Sequence, residues 1–362
     1  MSTMLLRTSL YPKHVEAGGR MVPFAGYEMP VQYASIIAEA RAVREGVGMF
    51  DVSHMARLTF RGSSTLAFLE RVTSNDVAKL EAATGQYSLL PNDHGGTVDD
   101  IIVYKVSDHE FRMVVNADNH SKDVDWLMSH NREGVEMTDQ TDETAMIAVQ
   151  GPSALDVLTQ LSDKAEGLIA APAFGIVMGR IGRVRCFAAR SGYTGEDGYE
   201  LICAAEDATT LWDDLLDAGV TPCGLGARDT LRVEAGLPLY GHELKEELSP
   251  IAAGLGWVIS KTKEFIGSAP INSARTNGTP TKLQGIRLEA KRLITPGMKV
   301  LVDGGDVGTV SSGVVSPLLD RGIAFAFIDK MVKTDTACTI DVRGKQEPGT
   351  IVNKRFFVRK RL

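Results

Sequence analysis

An α+β architecture built on antiparallel sheets is what the sequence predicts, on three observations. Segments of helical and strand periodicity alternate along the chain, short glycine-containing turns join strand-like runs as hairpins, and no strand-helix-strand unit frames a phosphate-binding glycine loop. A chain of 362 residues that is 44% apolar can bury a large core, and its length suggests two or three domains.

Leu5 to Met29, with Pro12 and the run MVPFAGYEMP, reads as short strands and turns. A first helix is expected from Ala34 to Glu45, where Ile36, Ile37, Ala40 and Val43 recur at helical spacing before Gly46 and Gly48 end it. GMFDVSHMARLTFRG then reads as one strand carrying Asp51, Ser53, His54 and Met55. Adjacent strand residues point to opposite faces, so Ser53 and His54 make a poor nucleophile and base, and His54 reads as a satisfied structural histidine. A helix over 64–71 leads to GQYSLLPNDHGGTVDDIIVY, residues 85–104, in which Gly95 and Gly96 form a turn and a β-branched strand follows. Alternation puts Asp100, Ile102 and Tyr104 on one face and Asp99, Ile101 and Val103 on the other. Asp100 is the carboxylate selected for function; the competing reading makes both aspartates idle turn residues. EFRMVV gives another strand ending at Asn116, residues 119–131 a helix, and TAMIAVQGP a strand stopped by Gly151 and Pro152.

In RSGYTGEDGYELICAA, three glycines frame a turn loaded with carboxylates. Glu196 and Asp197 read as solvated turn residues. Glu200 shares its strand face with Ile202 and Ala204, where an unpartnered carboxylate is costly, so an internal Arg or a ligand offering a fork of N–H groups should meet it. GLGARDTLRVEAG superficially resembles a dinucleotide fingerprint, but Asp229 stands where the third glycine belongs. It reads instead as a helix over 227–235 with Arg228 in the first turn, either a cationic fork for an anion or a salt bridge to Asp229 or another acid.

Four cysteines without a C-x-x-C and seven histidines without metal-ligand spacing suggest neither disulfides nor a metal. Apolar runs fall far short of a membrane span, and only about nine residues precede a folded-looking pattern, so a cytoplasmic protein without signal peptide is expected. The net charge of −7 hides a basic tail: residues 343–362 hold seven basic side chains and one acidic, so the preceding body is more acidic than the total. That body argues against nucleic acid, while VNKRFFVRKRL suits an acidic protein, an anionic ligand, or a solvated last strand blunted by its charges.

These stretches together resemble the aminomethyltransferase, or T-protein, family of the glycine cleavage system. LYPKHVEAGGRMVPFAGYEMPVQY, VGMFDVSHM, YSLLPNDHGGTVDDIIVY, AVQGP, SGYTGEDGYEL, GLGARDTLRVEAGLPLYG and SPIAAGLGWV carry the resemblance over nearly the whole length. It implies a three-domain cloverleaf: two intertwined α+β domains over 1–275 and a C-terminal antiparallel β-barrel over 280–362, around a central folate hole. KVLVDGGDVGTVSSGVVSP and ACTIDVRGKQEPGTIV fit the short strands of that barrel. The resemblance further implies Asp100 as the catalytic carboxylate, Glu200 as the pterin-holding residue, and Arg228, Tyr87, Tyr104, Tyr193, Asn116 and Met55 as folate-site residues. The implied co-substrate is tetrahydrofolate and the implied partner the lipoyl H-protein, with no metal, membrane or nucleic acid. RFFVRKRL does not allow one tail residue to be assigned to the ligand. Two other functions fit this fold: a folate-dependent demethylase of a sulfonium or methylamine compound, and a non-enzymatic folate-binding protein. The latter is expected to carry a K-G-C-Y-x-G-Q-E signature where this chain has SGYTGEDGYE.

Overall fold

The computed structural model describes residues 4–342 and 344–359. The chain divides into two compact units: Met1–Ser88, Asp100–Gly192 and Glu196–Arg228 form the first, and Leu89–Asp99, Tyr193–Gly195 and Asp229–Leu362 the second.

A six-stranded sheet anchors the first unit, in the spatial order Ile176–Ile181, Val184–Ala189, Gly198–Ala204, Thr144–Gln150, Gly48–Asp51, Thr221–Pro222. Its pairs are antiparallel except the last, where Thr221 runs parallel beside Gly48. Strand alternation sorts its side chains. Met49, Ala145, Ile147, Val149, Cys186, Ala188, Leu201 and Cys203 face a core closed by Leu158, Leu168, Leu211, Trp212 and Leu215. The opposite face, with Phe187 and Ile202, meets a second sheet ordered Thr84–Pro91, Thr97–Lys105, Glu110–Val115, Ala56–Arg61, Glu136–Asp139. There Tyr104 lies edge-on to Phe187 at 5.6 Å, and the Arg112 guanidinium sits 4.7 Å from the same ring. A void of about 20 Å³ remains between Arg57, Tyr104, Arg112 and Ile202.

The second unit contains the closed six-stranded barrel, ordered Thr281–Leu288, Arg321–Asp329, Gly305–Ser316, Lys299–Val302, Ala337–Val342, Lys345–Val352. Ile286, Val300, Ala326, Ile328, Ile340 and Ile351 fill it, as short strands with glycine turns require. Beside it Arg232, 1% exposed, donates to Glu243 at 3.0 Å and to Ser312 at 2.7 Å. The segment after Val352 is not a strand. Phe356 and Phe357 both donate their N–H to the Glu234 carbonyl, Phe356 stacks on Phe325, and Lys354 Nζ reaches the Ala253 carbonyl. Burial lowers the Lys354 amine to about 8 against the opposing pull of Glu243. The expected solvated edge strand is therefore a segment packed as far as Phe357. Of the basic tail, Arg343 and residues 360–362 lie outside the described residues.

Expected helices form as Ile36–Glu45, Thr65–Val72, His120–His130 and Leu225–Ala235, and Ser35 caps the first through Ala38 N–H. Ala154–Leu161, Ala165–Ala170, Ala208–Asp217, Ser268–Asn277 and Tyr11–Glu16 are further helices that the sequence reading did not place. Tyr11–Glu16 is helical because Pro12 sits in its first turn, where the missing N–H costs nothing. All four cysteines are free and buried. Among the described residues no helix is long and apolar enough to cross a membrane.

Residues 48–62 depart from the expected single strand. They form Gly48–Asp51 in the first sheet and Ala56–Arg61 in the second, joined by a turn. Asp51 Oδ1 accepts the Ser53 N–H at 2.9 Å, and Met55 N–H returns to the Val52 carbonyl at 3.0 Å. Asp51 is itself buried. Burial alone would raise its carboxyl, but His14 at 2.9 Å, Thr8 at 2.6 Å and Ser53 hold it down to about 2. His54 is buried edge-on to Phe24, and its Nδ1 has no hydrogen-bond partner among the described residues. It is not the satisfied histidine expected. Burial first, then Arg228 and Arg57, lower it to about 4 despite Asp51, so the ring is neutral at pH 7.

A folded-state value of about 4 against an ordinary 6.5 fixes a pH dependence. Above 6.5 neither state binds the proton, so the group is silent; as pH falls towards 4 the unfolded chain gains it first and stability drops, by about 3 kcal/mol. Denaturant unfolding of His54→Leu against the parent across that window is expected to give the flatter profile. Parallel profiles would mean that the His54 ring is not held neutral.

Candidate functional site

The strand Thr97–Lys105 alternates as its sequence requires. Asp99, Ile101 and Val103 are buried, whereas Asp100 and Ile102 are half-exposed. Both neighbouring strands grip Asp100. From Thr84–Pro91, Tyr87 donates its hydroxyl to Oδ2 at 2.8 Å; from the end of Glu110–Val115, Asn116 Nδ2 donates to Oδ1 at 2.9 Å and to the Asp100 carbonyl at 3.1 Å. Together the donors fix the plane of the carboxyl group. Three of the expected site residues thus form one cluster.

Tyr104, two pleats along the same face, is 1% exposed and packs on Gly85, where a Cβ would meet its ring at 2.3 Å. It is not an open aromatic surface. Its hydroxyl lies 3.0 Å from Ser191 Oγ, and Ser191 Oγ donates to Glu200 Oε2 at 2.5 Å. Ser191 has one proton, which goes to the carboxylate rather than to the more distant Ala189 carbonyl at 3.4 Å, so Tyr104 is the donor in the first contact. Glu200 pairs with Ala189 and Ala148 on the strands either side and is 5% exposed. Burial raises its carboxyl above the ordinary range, opposed by the Ser191 hydrogen bond and then the Arg228 charge. The partner the sequence demanded is thus a hydroxyl and a nearby cation. Among the described residues only Oε2 receives a hydrogen bond, leaving Oε1 for donors from elsewhere.

Arg228 lies in the first turn of Leu225–Ala235, and its charge acts on both Glu200 and His54. The Asp229 carboxylate pairs with Arg232 at 2.8 Å. Met55 is half-buried in the turn after His54. Tyr193 belongs to the second unit, where its hydroxyl donates to the Pro238 carbonyl. The acidic residues of the 191–198 turn are not solvated, contrary to expectation. Glu196, its side chain 4% exposed, pairs with Arg44 at 2.9 Å, and Asp197 takes a two-pronged contact from Arg190 at 3.1 and 2.6 Å.

Sequence reasoning missed Ser191, Gln150 and Arg57. Gln150 Nε2 donates to the Ser191 carbonyl at 2.9 Å, and any Cβ on Gly192 would meet the Gln150 amide at 1.9 Å. A glycine beside a polar residue in a turn was the available signal. Arg57 sends its donors to the Ser53, Met55, Thr141 and Thr144 carbonyls and to Thr144 Oγ1 at 2.7 Å, with no carboxylate among them. Nothing in its strand context marks it.

Residues 10–263 match the GCVT N-terminal domain model, and residues 282–357 match the glycine cleavage T-protein C-terminal barrel domain model. The chain is 44% identical to an aminomethyltransferase of Geobacillus kaustophilus, over 98% of this chain and all of the relative. It is 45% identical to one of Deinococcus deserti, over 98% of each. A solved structure of glycine cleavage system aminomethyltransferase T from Bartonella henselae superimposes with a TM-score of 0.90 at 28% identity, covering 98% of both chains. With a gripped aspartate, a buried glutamate and a C-terminal barrel in place, this chain belongs to the glycine cleavage T-protein family.

Proposed function

We propose that this chain transfers the one-carbon unit of an aminomethyl group, carried on the lipoyl sulfur of H-protein, to tetrahydrofolate. Ammonia and methylenetetrahydrofolate are released and the carrier is left as the dihydrolipoyl form. The observation that carries the reading is Asp100, held on both oxygens by Tyr87 and Asn116, in the same unit as a buried Glu200 with one oxygen unused.

Tetrahydrofolate supplies the attacking amine and accepts the one-carbon unit, and the carrier sulfur leaves, so no protein nucleophile is needed. The residues fit that task. Glu200 Oε1 offers the pterin N–H fork an acceptor in a dry setting, and Arg228 favours its charged form. Asp100, its plane fixed, orients an amine proton and stabilises positive charge developing on the transferred carbon. Tyr104 acts behind Glu200 through Ser191. Met55 and Tyr193 complete the proposed folate residues. In domain terms we assign the folate-binding core to 1–275 and the barrel to 280–362, in a cytoplasmic enzyme.

Asp100→Asn preserves shape but removes charge, so turnover with aminomethylated H-protein is expected to fall about a hundredfold or more with a smaller change in folate affinity. Asp99 is fully buried on the opposite face, so Asp99→Asn should lower the unfolding midpoint more than the specific rate of folded enzyme. A slower Asp99→Asn enzyme would reverse the assignment, and full turnover with a sulfonium or methylamine donor in place of the carrier would replace the reaction.

Glu200→Gln is expected to weaken tetrahydrofolate binding by about 1.5–3 kcal/mol, the scale of one charge-assisted contact, with native circular dichroism. Calorimetry checks it; unchanged affinity removes Glu200 from the folate site.

The basic residues beyond the packed tail segment begin at Arg359. Deleting 359–362 is expected to slow the reaction with H-protein at low salt more than with a free lipoyl substrate, since steering by charge is screened by salt. Equal loss with both donors would point to the fold or the folate site instead.

A further inference from the structure

We propose that the Ser191 hydroxyl is a positioning group: anchored through Gln150, it accepts from Tyr104 and donates to one Glu200 oxygen, holding the carboxylate with its other oxygen directed to ligand donors. The consequence for folate rests on the function proposed above; the geometry does not.

Gln150 ends the strand Thr144–Gln150, and its amide donates to the Val149 carbonyl at 3.2 Å and the Ser191 carbonyl at 2.9 Å. Gly192 lies against that amide so closely that no side chain is accommodated, and Gly198 likewise, its Cβ position 2.1 Å from the Val149 carbonyl. The turn is pinned at its other end by Arg44 on Glu196 and Arg190 on Asp197. Ser191 is therefore presented by a braced loop rather than by a free one.

Its hydroxyl then sits between two buried groups, with the Ala189 carbonyl a more distant acceptor at 3.4 Å. Tyr104 gives a proton to Ser191 Oγ at 3.0 Å, and Ser191 gives its own to Glu200 Oε2 at 2.5 Å. Accepting one hydrogen bond polarises the hydroxyl that donates the next. The groups facing Glu200 are Ser191 from the turn, Tyr104 from Thr97–Lys105 and Arg228 from Leu225–Ala235; the cross-strand neighbours Ala148 and Ala189 carry no charge. Burial raises both the Glu200 carboxyl and the Tyr104 phenol, so Tyr104 stays a donor and Glu200 depends on Ser191 and Arg228 to ionise. A merely space-filling serine would leave that titration unchanged.

The test follows the Glu200 carboxyl by carbon-13 NMR in glutamate-labelled full-length protein, with Glu200→Gln identifying its resonance. Ser191→Ala is expected to raise the Glu200 midpoint by about one unit or more, and Ser191→Thr to restore it. The acid limb of tetrahydrofolate binding is expected to move to higher pH by the same interval. An unmoved Glu200 midpoint in Ser191→Ala overturns the proposal. Should Ser191→Ala not fold, Tyr104→Phe gives the same reading, with a smaller rise expected and no rise overturning it. If the midpoint moves while Glu200→Gln binds tetrahydrofolate normally, the positioning role stands and the folate assignment of Glu200 fails.

Discussion

A carboxylate sealed inside a sheet face is the constraint around which the first unit is arranged. Glu200 occupies a central position of the strand Gly198–Ala204, bonded on both sides, on a face otherwise made by Phe187, Ala148, Ala189 and Ile202. An unmatched carboxylate there would cost several kcal/mol or would take up a proton. The surrounding residues answer that demand with one hydroxyl and one cation rather than with a direct ion pair. The difference matters, because a fork-to-fork contact with Arg would use both oxygens and leave nothing for a ligand.

The two carboxylates proposed for function are set up in opposite ways. Asp100 is half-exposed and held by two donors from flanking strands, so its orientation is constrained while its access remains. Glu200 is buried and receives one donor, so its recognition capacity is kept while its ionisation is made sensitive to its surroundings. One strand connects them. Asp100 and Tyr104 lie on the same face, roughly 13 Å apart along it at about 3.3 Å per residue, and Tyr104 reaches Glu200 through Ser191. In the proposed function, orientation of a reacting group falls to Asp100 on this strand and recognition of a ring to Glu200 on Gly198–Ala204, which the same strand reaches through Tyr104 and Ser191.

Much of this was legible in the sequence. Two-residue alternation separated Asp100 from Asp99 and placed Glu200 on an apolar face, and both assignments depend only on strand periodicity. The barrel was expected from the family resemblance, and the segments matched to it form its strands. What was illegible depends on partners distant in the chain. Glu196 and Asp197 look like solvated turn acids until Arg44, 152 residues away, and Arg190 are brought to them. The strand read through 48–62 breaks because Asp51 accepts the Ser53 N–H and the two halves join different sheets, which local hydrophobicity does not encode. Ser191 is ordinary by composition; its role exists only once Tyr104 and Glu200 stand on either side of it.

Arg57 shows how far such long-range placement governs the site. It is buried with no carboxylate in contact among the described residues, and burial lowers it only to about 10, so it remains charged at neutral pH. Carbonyl oxygens take its donors instead: Ser53 and Met55 on one side, Thr141 and Thr144 on the other. A guanidinium can do this because its donors spread in a plane, whereas an ammonium would satisfy fewer carbonyls from one point. The result ties the turn that carries His54 and Met55 to the turn preceding the strand that ends in Gln150. Its charge, with that of Arg228, also opposes protonation of His54. Met55 on one side and the anchor of Ser191 on the other therefore depend on a residue that touches neither carboxylate. The sheet interface is thereby part of the machinery that sets the site, and not only its support.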